Sequence, residues 1–310
     1  MRIFLAGHRG MVGRAIMNSA GPNMTLITAN RSELDLTNFD QVNRFLREQQ
    51  VDCIILAAAR VGGIAANSQY QFQFLLENLK IQNTVLENAA LLSVPNFIFL
   101  GSSCVYPRDV PNPIKESFLL TGPLEVTNEG YALAKITGIK LLNAIQFEQK
   151  LNYFSLMPTN LYGPHDNFDK FSSHVPAGLM RRFHEAKIAG KKEIFVWGTG
   201  VPRREFMHVD DLAQACWKLL GQKLGGQLIN IGTGQDITIA NFASLMAEII
   251  GYEGNVNFDS SKPDGVPQKL LDVSKAHSYG WRHEIDLEDG LKKTYEWFVD
   301  ALRQGEVRGY

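Results

Sequence analysis

Cysteine is scarce: Cys53, Cys104 and Cys216 are the only three in 310 positions. So few, and so scattered, they exclude a disulfide framework and a clustered zinc site and predict a reducing, cytoplasmic setting. An excess of charge of one sign is lacking too. With 31 basic against 32 acidic residues the net charge is -1, which gives no electrostatic footprint for nucleic acid or an anionic membrane surface. No apolar run approaches the ~18 residues of a membrane helix. The opening "MRIFLAGHRG" passes from a short apolar run into a glycine loop, without the apolar core and cleavage site of a signal peptide. Internal repeats and low-complexity segments are missing as well. Apolar residues are plentiful, at 45%, enough for the core of one large globular domain or two of ordinary size.

Short runs rich in Ile, Val, Leu and Phe recur as "RIFLAG", "TLITA", "DCIILAAA", "NFIFLGSS" and "YFSLMPTN", separated by helix-length mixtures such as "DQVNRFLREQQ" and "QFLLENLKIQNTVLENAALL". Strands that are apolar throughout and alternate with helices predict a Rossmann-type α/β fold, a doubly wound parallel sheet covered on both faces. That rhythm spans residues 1–163. After "YGPHDNF" the pattern turns irregular and loop-rich ("WGTGVPRREF", "SSKPDGVPQ"), which predicts a smaller α/β substrate-binding domain over 164–310, with about 205–233 returning to the first.

"GHRGMVG", comprising Gly7, His8, Arg9, Gly10, Met11, Val12 and Gly13, lies between the first strand and the first helix. Glycines there permit a tight turn and a close backbone approach to a pyrophosphate, and the free N–H groups of the helix start attract its charge. The bland alternative is a tight turn and nothing more. At the end of the second strand, "TLITANRSELDL" offers no carboxylate for a ribose 2′-hydroxyl. It offers Arg31, with Arg9 in the glycine loop, and two guanidiniums suit the 2′-phosphate of NADP better than NAD. A solvated Arg31 is the competing reading.

In "NEGYALAKITGIKLLNAIQFE", Tyr131 and Lys135 stand four apart and share a helix face. A phenol near pKa ~10 is a poor acid–base group at neutral pH, and an adjacent ammonium favours its phenolate. Ser102, ending a parallel strand, completes a set in which a hydroxyl polarises a carbonyl, the phenol exchanges a proton and the lysine tunes it. Cys104 follows that serine at a strand's C-terminal end, where open α/β sheets bind ligands. Cys53 and Cys216 read as packing residues.

Together with "LAAARVGGIAAN", "FLGSSCVYP", "MPTNLYGPHDNF", "REFMHVDD" and "KPDGVPQKLLDV", these features resemble the extended short-chain dehydrogenase/reductase family. The resemblance, strongest to members acting on a GDP-sugar ketone, runs from residue 1 to about residue 298. It implies an NADPH-dependent enzyme whose substrate is GDP-4-keto-6-deoxy-mannose, epimerised at C3 and C5 and then reduced at C4. It implies Cys104 as base and His174 as acid for both inversions, and a cofactor site that adds Asp35, Leu36, Leu100, Gly101, Ser102, Lys135, Pro158, Thr159, Asn160, Leu161 and His174 to the glycine loop and Arg31. Arg182 and Arg204 are candidates for the substrate's phosphates, since guanidinium forks match phosphate oxygens. Trp197 is a candidate for its base or sugar, and Asp264 and Lys269 complete the family's substrate pattern. The family also implies a homodimer built on helices of the cofactor domain. Two departures from its pattern stand out: Gly130 replaces a proline and predicts a loosened helix start, and Pro176 shifts the register after His174. A sugar-nucleotide epimerase or dehydratase holding NAD, and a non-catalytic NADP sensor, remain as alternatives.

Overall fold

The computed structural model describes residues 1–262 and 264–310. In chain order its first half runs β1 (Arg2–Ala6), α1 (Met11–Asn18), β2 (Thr25–Ile27), α2 (Phe39–Gln49), β3 (Cys53–Leu56), α3 (Ile64–Gln69), α4 (Gln71–Leu91), β4 (Asn96–Leu100), α5 (Glu129–Gln149) and β5 (Asn152–Pro158). The second half runs β6 (Asn160–Tyr162), α6 (Val175–Ile188), β7 (Glu193–Trp197), β8 (Arg203–Arg204), β9 (Phe206–His208), α7 (Val209–Leu220), β10 (Leu228–Ile231), β11 (Ile237–Thr238), α8 (Ile239–Ile250), β12 (Asn255–Asp259), β13 (Gln268–Lys269), α9 (Ser274–Ser278) and α10 (Leu287–Gln304).

Six strands form the main sheet in the order β10-β5-β4-β3-β1-β2, every neighbouring pair parallel. The apolar runs of β1, β3, β4 and β5 are buried almost throughout, as a strand with helices on both faces must be. One face packs on α2, α4 and α5 through a cluster including Phe4, Phe97, Phe99 and Ile139. The other packs on α1 and α7 through Ile3, Ile55, Phe154 and Leu212. The strand order changes direction between β1 and β3, and that switch leaves a crevice beyond their carboxyl ends.

A third core, with Phe183, Phe206, Phe242 and Phe298, gathers α6, α8, α10 and the small sheets β6/β9 and β7/β12. A three-stranded sheet, in the order β11-β8-β13, completes the second half, with β11 antiparallel and β13 parallel to β8. Among the described residues, no helix is long and apolar enough to cross a membrane.

Both departures from the family pattern have physical reasons. A Cβ at Gly130 would stand 2.7 Å from the Gln71 carbonyl oxygen, so the start of α5 is packed tightly on α4 rather than loosened. Pro176 occupies the first turn of α6, where a missing N–H costs nothing.

Candidate active site

The glycine loop is shaped as a cradle. Gly7 has φ +96°, and a Cβ there would meet the Ala58 amide at 2.5 Å across the switch-point crevice. A Cβ at Gly13 would collide with the Gly7 carbonyl, so α1 is drawn tight against the loop. Gly10 caps α1 without any side-chain hydrogen bond, leaving the first-turn amides for an anion. His8, Arg9, Met11 and Val12 complete this rim, and burial with the neighbouring Arg9 pushes the His8 imidazole below its ordinary pKa.

Arg31 is exposed just past β2, as its position predicts. No carboxylate follows directly on β2, which ends at Ile27 and continues as Thr28, Ala29 and Asn30. Glu33 folds back so that its Oε2 accepts from the Asn30 amide at 2.7 Å, while Asn30 Oδ1 accepts from the Ser32 and Glu33 amides at 3.0 and 3.2 Å. This is a reciprocal capping box on the turn that carries Arg31, a local pattern the search for an acidic residue at the strand's last position does not detect. Asp35 is held below the usual carboxylate range by hydrogen bonds from Thr37, and Leu36 packs on the core. These residues fit a dinucleotide with a charged adenosine end: the cradle has no room for a side chain, and the adjoining turn offers a guanidinium to solvent.

The chemistry-bearing groups lie beyond the ends of β4 and β5. Gly101, whose Cβ would strike the Met157 thioether, lets the chain turn sharply after Leu100. Ser102 Oγ then accepts from the Cys104 amide at 3.3 Å, opening a short 3-10 turn. Cys104 is only 8% exposed, and burial raises its thiol pKa. Lys269, Ser102 and Lys135, in that order of effect, pull it back down. Cys53 and Cys216 are fully buried in strand and helix, as packing residues should be.

Tyr131 and Lys135 project from the first turns of α5. Their relation differs from the expected one: burial and the nearby Cys104 charge raise the Tyr131 phenol. Lys135 Nζ instead donates to the Leu100 carbonyl at 2.7 Å and lies 5.8 Å from the Tyr131 ring centroid. Desolvation lowers Lys135 to about 8. Tyr131 is therefore a neutral proton donor across the neutral range.

Pro158, Thr159, Asn160 and Leu161 follow at the end of β5. Thr159 Oγ1 and Asn160 Nδ2 both donate to the main-chain carbonyl of Glu205, at 3.3 and 2.8 Å. Glu205 is fully buried; Oε1 accepts from the Gly234 amide at 2.8 Å and Oε2 from the Leu271 amide at 2.9 Å. Sequence reasoning does not single it out, since in "REFMH" a carboxylate next to Arg204 reads as an ordinary charged residue.

His174 caps α6 and is exposed, yet the protein around it lowers its pKa by desolvation. Its approach loop is ordered by Asp169, whose Oδ1 accepts from the Phe171 and Ser172 amides, and is tied to the switch-point crevice by the Gly63 amide donating to Ser172 O at 2.8 Å. Gly62 in turn abuts Phe74, whose ring meets Tyr131 edge to face at 6.4 Å. That chain of contacts links the loop before His174, through Ser172, to the ring of Tyr131.

The substrate candidates form a continuous band. Arg182 donates to the Phe195 carbonyl beside exposed Trp197, whereas Arg181 turns the other way, into the core, to Phe168, Glu185 and Gly309. Lys262 lies over the Trp197 ring at 5.7 Å, and Asp264 accepts from the Thr199 amide and hydroxyl at 2.6 and 2.8 Å. Arg204 and Lys269 are register partners on β8 and β13. The band runs from Trp197 to the neighbourhood of Cys104.

The model of the NAD dependent epimerase/dehydratase family matches residues 3–232. GDP-L-fucose synthase 1 of Arabidopsis thaliana is 50% identical over 96% of this chain and 93% of its own. GDP-L-fucose synthase of Escherichia coli is 46% identical over 99% of each. Among solved structures, a GDP-L-fucose synthetase from Naegleria fowleri bound to NADP matches with TM-score 0.88 and 26% identity, covering 98% of this chain and 94% of that one.

Proposed function

The chain belongs to the NAD dependent epimerase/dehydratase family, and we propose that it converts GDP-4-keto-6-deoxy-D-mannose to GDP-L-fucose, epimerising C3 and C5 and reducing C4 with NADPH. The observation that carries this is the meeting of a thiol, a neutral phenol and a buried ammonium, Cys104, Tyr131 and Lys135, beyond one parallel strand and next to a dinucleotide cradle. A reductase needs the phenol and lysine. The thiol suits a deprotonation next to the ketone, a step that plain reduction does not contain.

The C4 ketone acidifies the hydrogens on C3 and C5. Cys104 takes each proton as thiolate from one face, and His174 returns one from the other. The lowered pKa of His174 makes it a ready donor once it has captured a proton from solvent. Ser102 donates to the C4 oxygen and supports the enolate. NADPH, when bound in the cradle of residues 7–13 with Arg31 at its 2′-phosphate, supplies the hydride. Tyr131 then protonates the C4 oxygen, and Lys135, fixed on Leu100, holds the charge balance of the site as that proton leaves. Arg182, Arg204, Trp197 and Asp264 hold the GDP end.

Residues 1–163 with about 205–233 form the cofactor part and the remainder mainly the substrate part. The enzyme works in the cytoplasm as a homodimer through α4 and α5, whose outer faces expose Phe72 and Leu133. The deciding experiment incubates the purified protein with NADPH and GDP-4-keto-6-deoxy-mannose and identifies the product by NMR. GDP-L-fucose is expected. A product reduced at C4 with C3 and C5 unchanged would reduce the protein to a plain ketone reductase.

A further inference from the structure

Four groups face the Cys104 thiol: Ser102 from its own turn, Tyr131 and Lys135 from α5, and Lys269 from β13. Lys135 is already committed to the Leu100 carbonyl and to the Phe99 ring, 4.8 Å away. The second ammonium comes from the substrate side. Leu271, two positions after Lys269, is buried in the cluster that contains Cys104, Val105, Tyr106 and Ile114. Residues two apart along an extended segment project to the same side. Lys269 is thereby carried toward the Cys104 edge of that cluster.

The placement is rigidly framed. Ile114 N donates to Leu270 O at 2.7 Å and Asp272 N to Ile114 O at 2.8 Å, while Asn112 Oδ1 accepts from Leu270 N at 2.9 Å. These bonds pair the segment of Ile114 with that of Leu271, and both residues share a buried cluster with Cys104, so packing on one core keeps the Lys269 segment next to the cysteine. Arg204 and Glu125 also face Lys269, with opposite effects on its charge, and Cys104 favours that charge. Its influence on the thiol exceeds that of Lys135.

We propose that Lys269 is a positioning residue for the base, its ammonium serving as the counter-ion of the Cys104 thiolate. This deepens the proposed function and rests on it for the role of Cys104, but the ion pair itself can be read without any sugar. The test is alkylation of Cys104 by iodoacetamide as a function of pH, followed by peptide mass spectrometry, in wild type, Lys269→Gln and Lys269→Arg. Cys53 and Cys216, both at 0% exposure, give little competing label.

Lys269→Gln is expected to slow alkylation at neutral pH about tenfold, one pH unit of displacement, and to keep the same plateau at high pH. Lys269→Arg, which retains the charge, is expected to follow wild type. Coincident wild-type and Lys269→Gln profiles, or an equal loss in Lys269→Arg, overturn the proposal. A lysine serving only the substrate's phosphates would raise the KM for the sugar and leave the alkylation profile unmoved, which also overturns it. Failure to form GDP-L-fucose would sink the proposed function and leave these profiles as they are.

Discussion

Lys135 Nζ donates to the Leu100 carbonyl at 2.7 Å, so the last residue of β4 receives a cation whose pKa burial has brought from 10.5 to about 8. Because the folded value lies below the unfolded one, burying the charged form costs stability fully below pH 8, and the cost fades as pH rises from there toward 10.5. The displacement corresponds to about 3 kcal/mol at most, part of which the Leu100 bond offsets. Lys135→Met is therefore expected to melt no lower than wild type at neutral pH, with any advantage shrinking in alkaline buffer, while turnover falls ~10²-fold. A clear drop in Tm at neutral pH would show that the lysine is needed for folding rather than for chemistry.

Tyr131 and Cys104 should separate the two halves of the reaction. Tyr131→Phe is expected to lower NADPH oxidation by ~10² to 10⁴ while solvent deuterium still enters C3 and C5. Cys104→Ala is expected to abolish that exchange and leave NADPH binding, read by fluorescence, intact. Undiminished exchange without the sulfur would remove the thiol from the mechanism.

Arg31→Ala is expected to raise the KM for NADPH by about 10- to 100-fold, the range of a charge-assisted hydrogen bond, and to leave that for NADH nearly unchanged. The Asn30 and Glu33 box that shapes this turn stays intact in the variant, so the loss reports the guanidinium alone. An unchanged ratio of the two constants would place the 2′-phosphate elsewhere.

Gly13→Ala puts a methyl group against the Gly7 carbonyl, a backbone atom that cannot swing away. It is expected to cost about 1 to 3 kcal/mol of stability by overpacking and to weaken NADPH binding further than that loss of fold explains. Tm and a fluorescence titration measured on the same sample distinguish the two effects.

Strands β1, β3, β4 and β5 were readable because each carries a buried, largely apolar run, and Gly7, Tyr131 and Lys135 because their spacing carries a mechanism. The short strands β8, β11 and β13 were not, since two residues hold no periodicity. The Asn30–Glu33 box was not, because it is a reciprocal bond within one turn, nor was Glu205, because a single buried carboxylate has no spacing at all. The relation of Lys135 to Tyr131 was misjudged for a similar reason: helical spacing says which groups share a face, while the carbonyl of Leu100, 35 positions away, decides where the ammonium goes. What the fold supplies is desolvation, and residue types alone do not report it.

Glu205 ties three other stretches of chain to its own, two through its carboxylate (at Gly234 and Leu271) and one, Thr159 with Asn160, through its carbonyl. Because the carboxylate and the carbonyl belong to one buried residue, the strand end that carries Thr159 cannot shift without also disturbing the turn at Gly234 and the segment at Leu271. Loss of that single side chain would leave two main-chain amides without their acceptor.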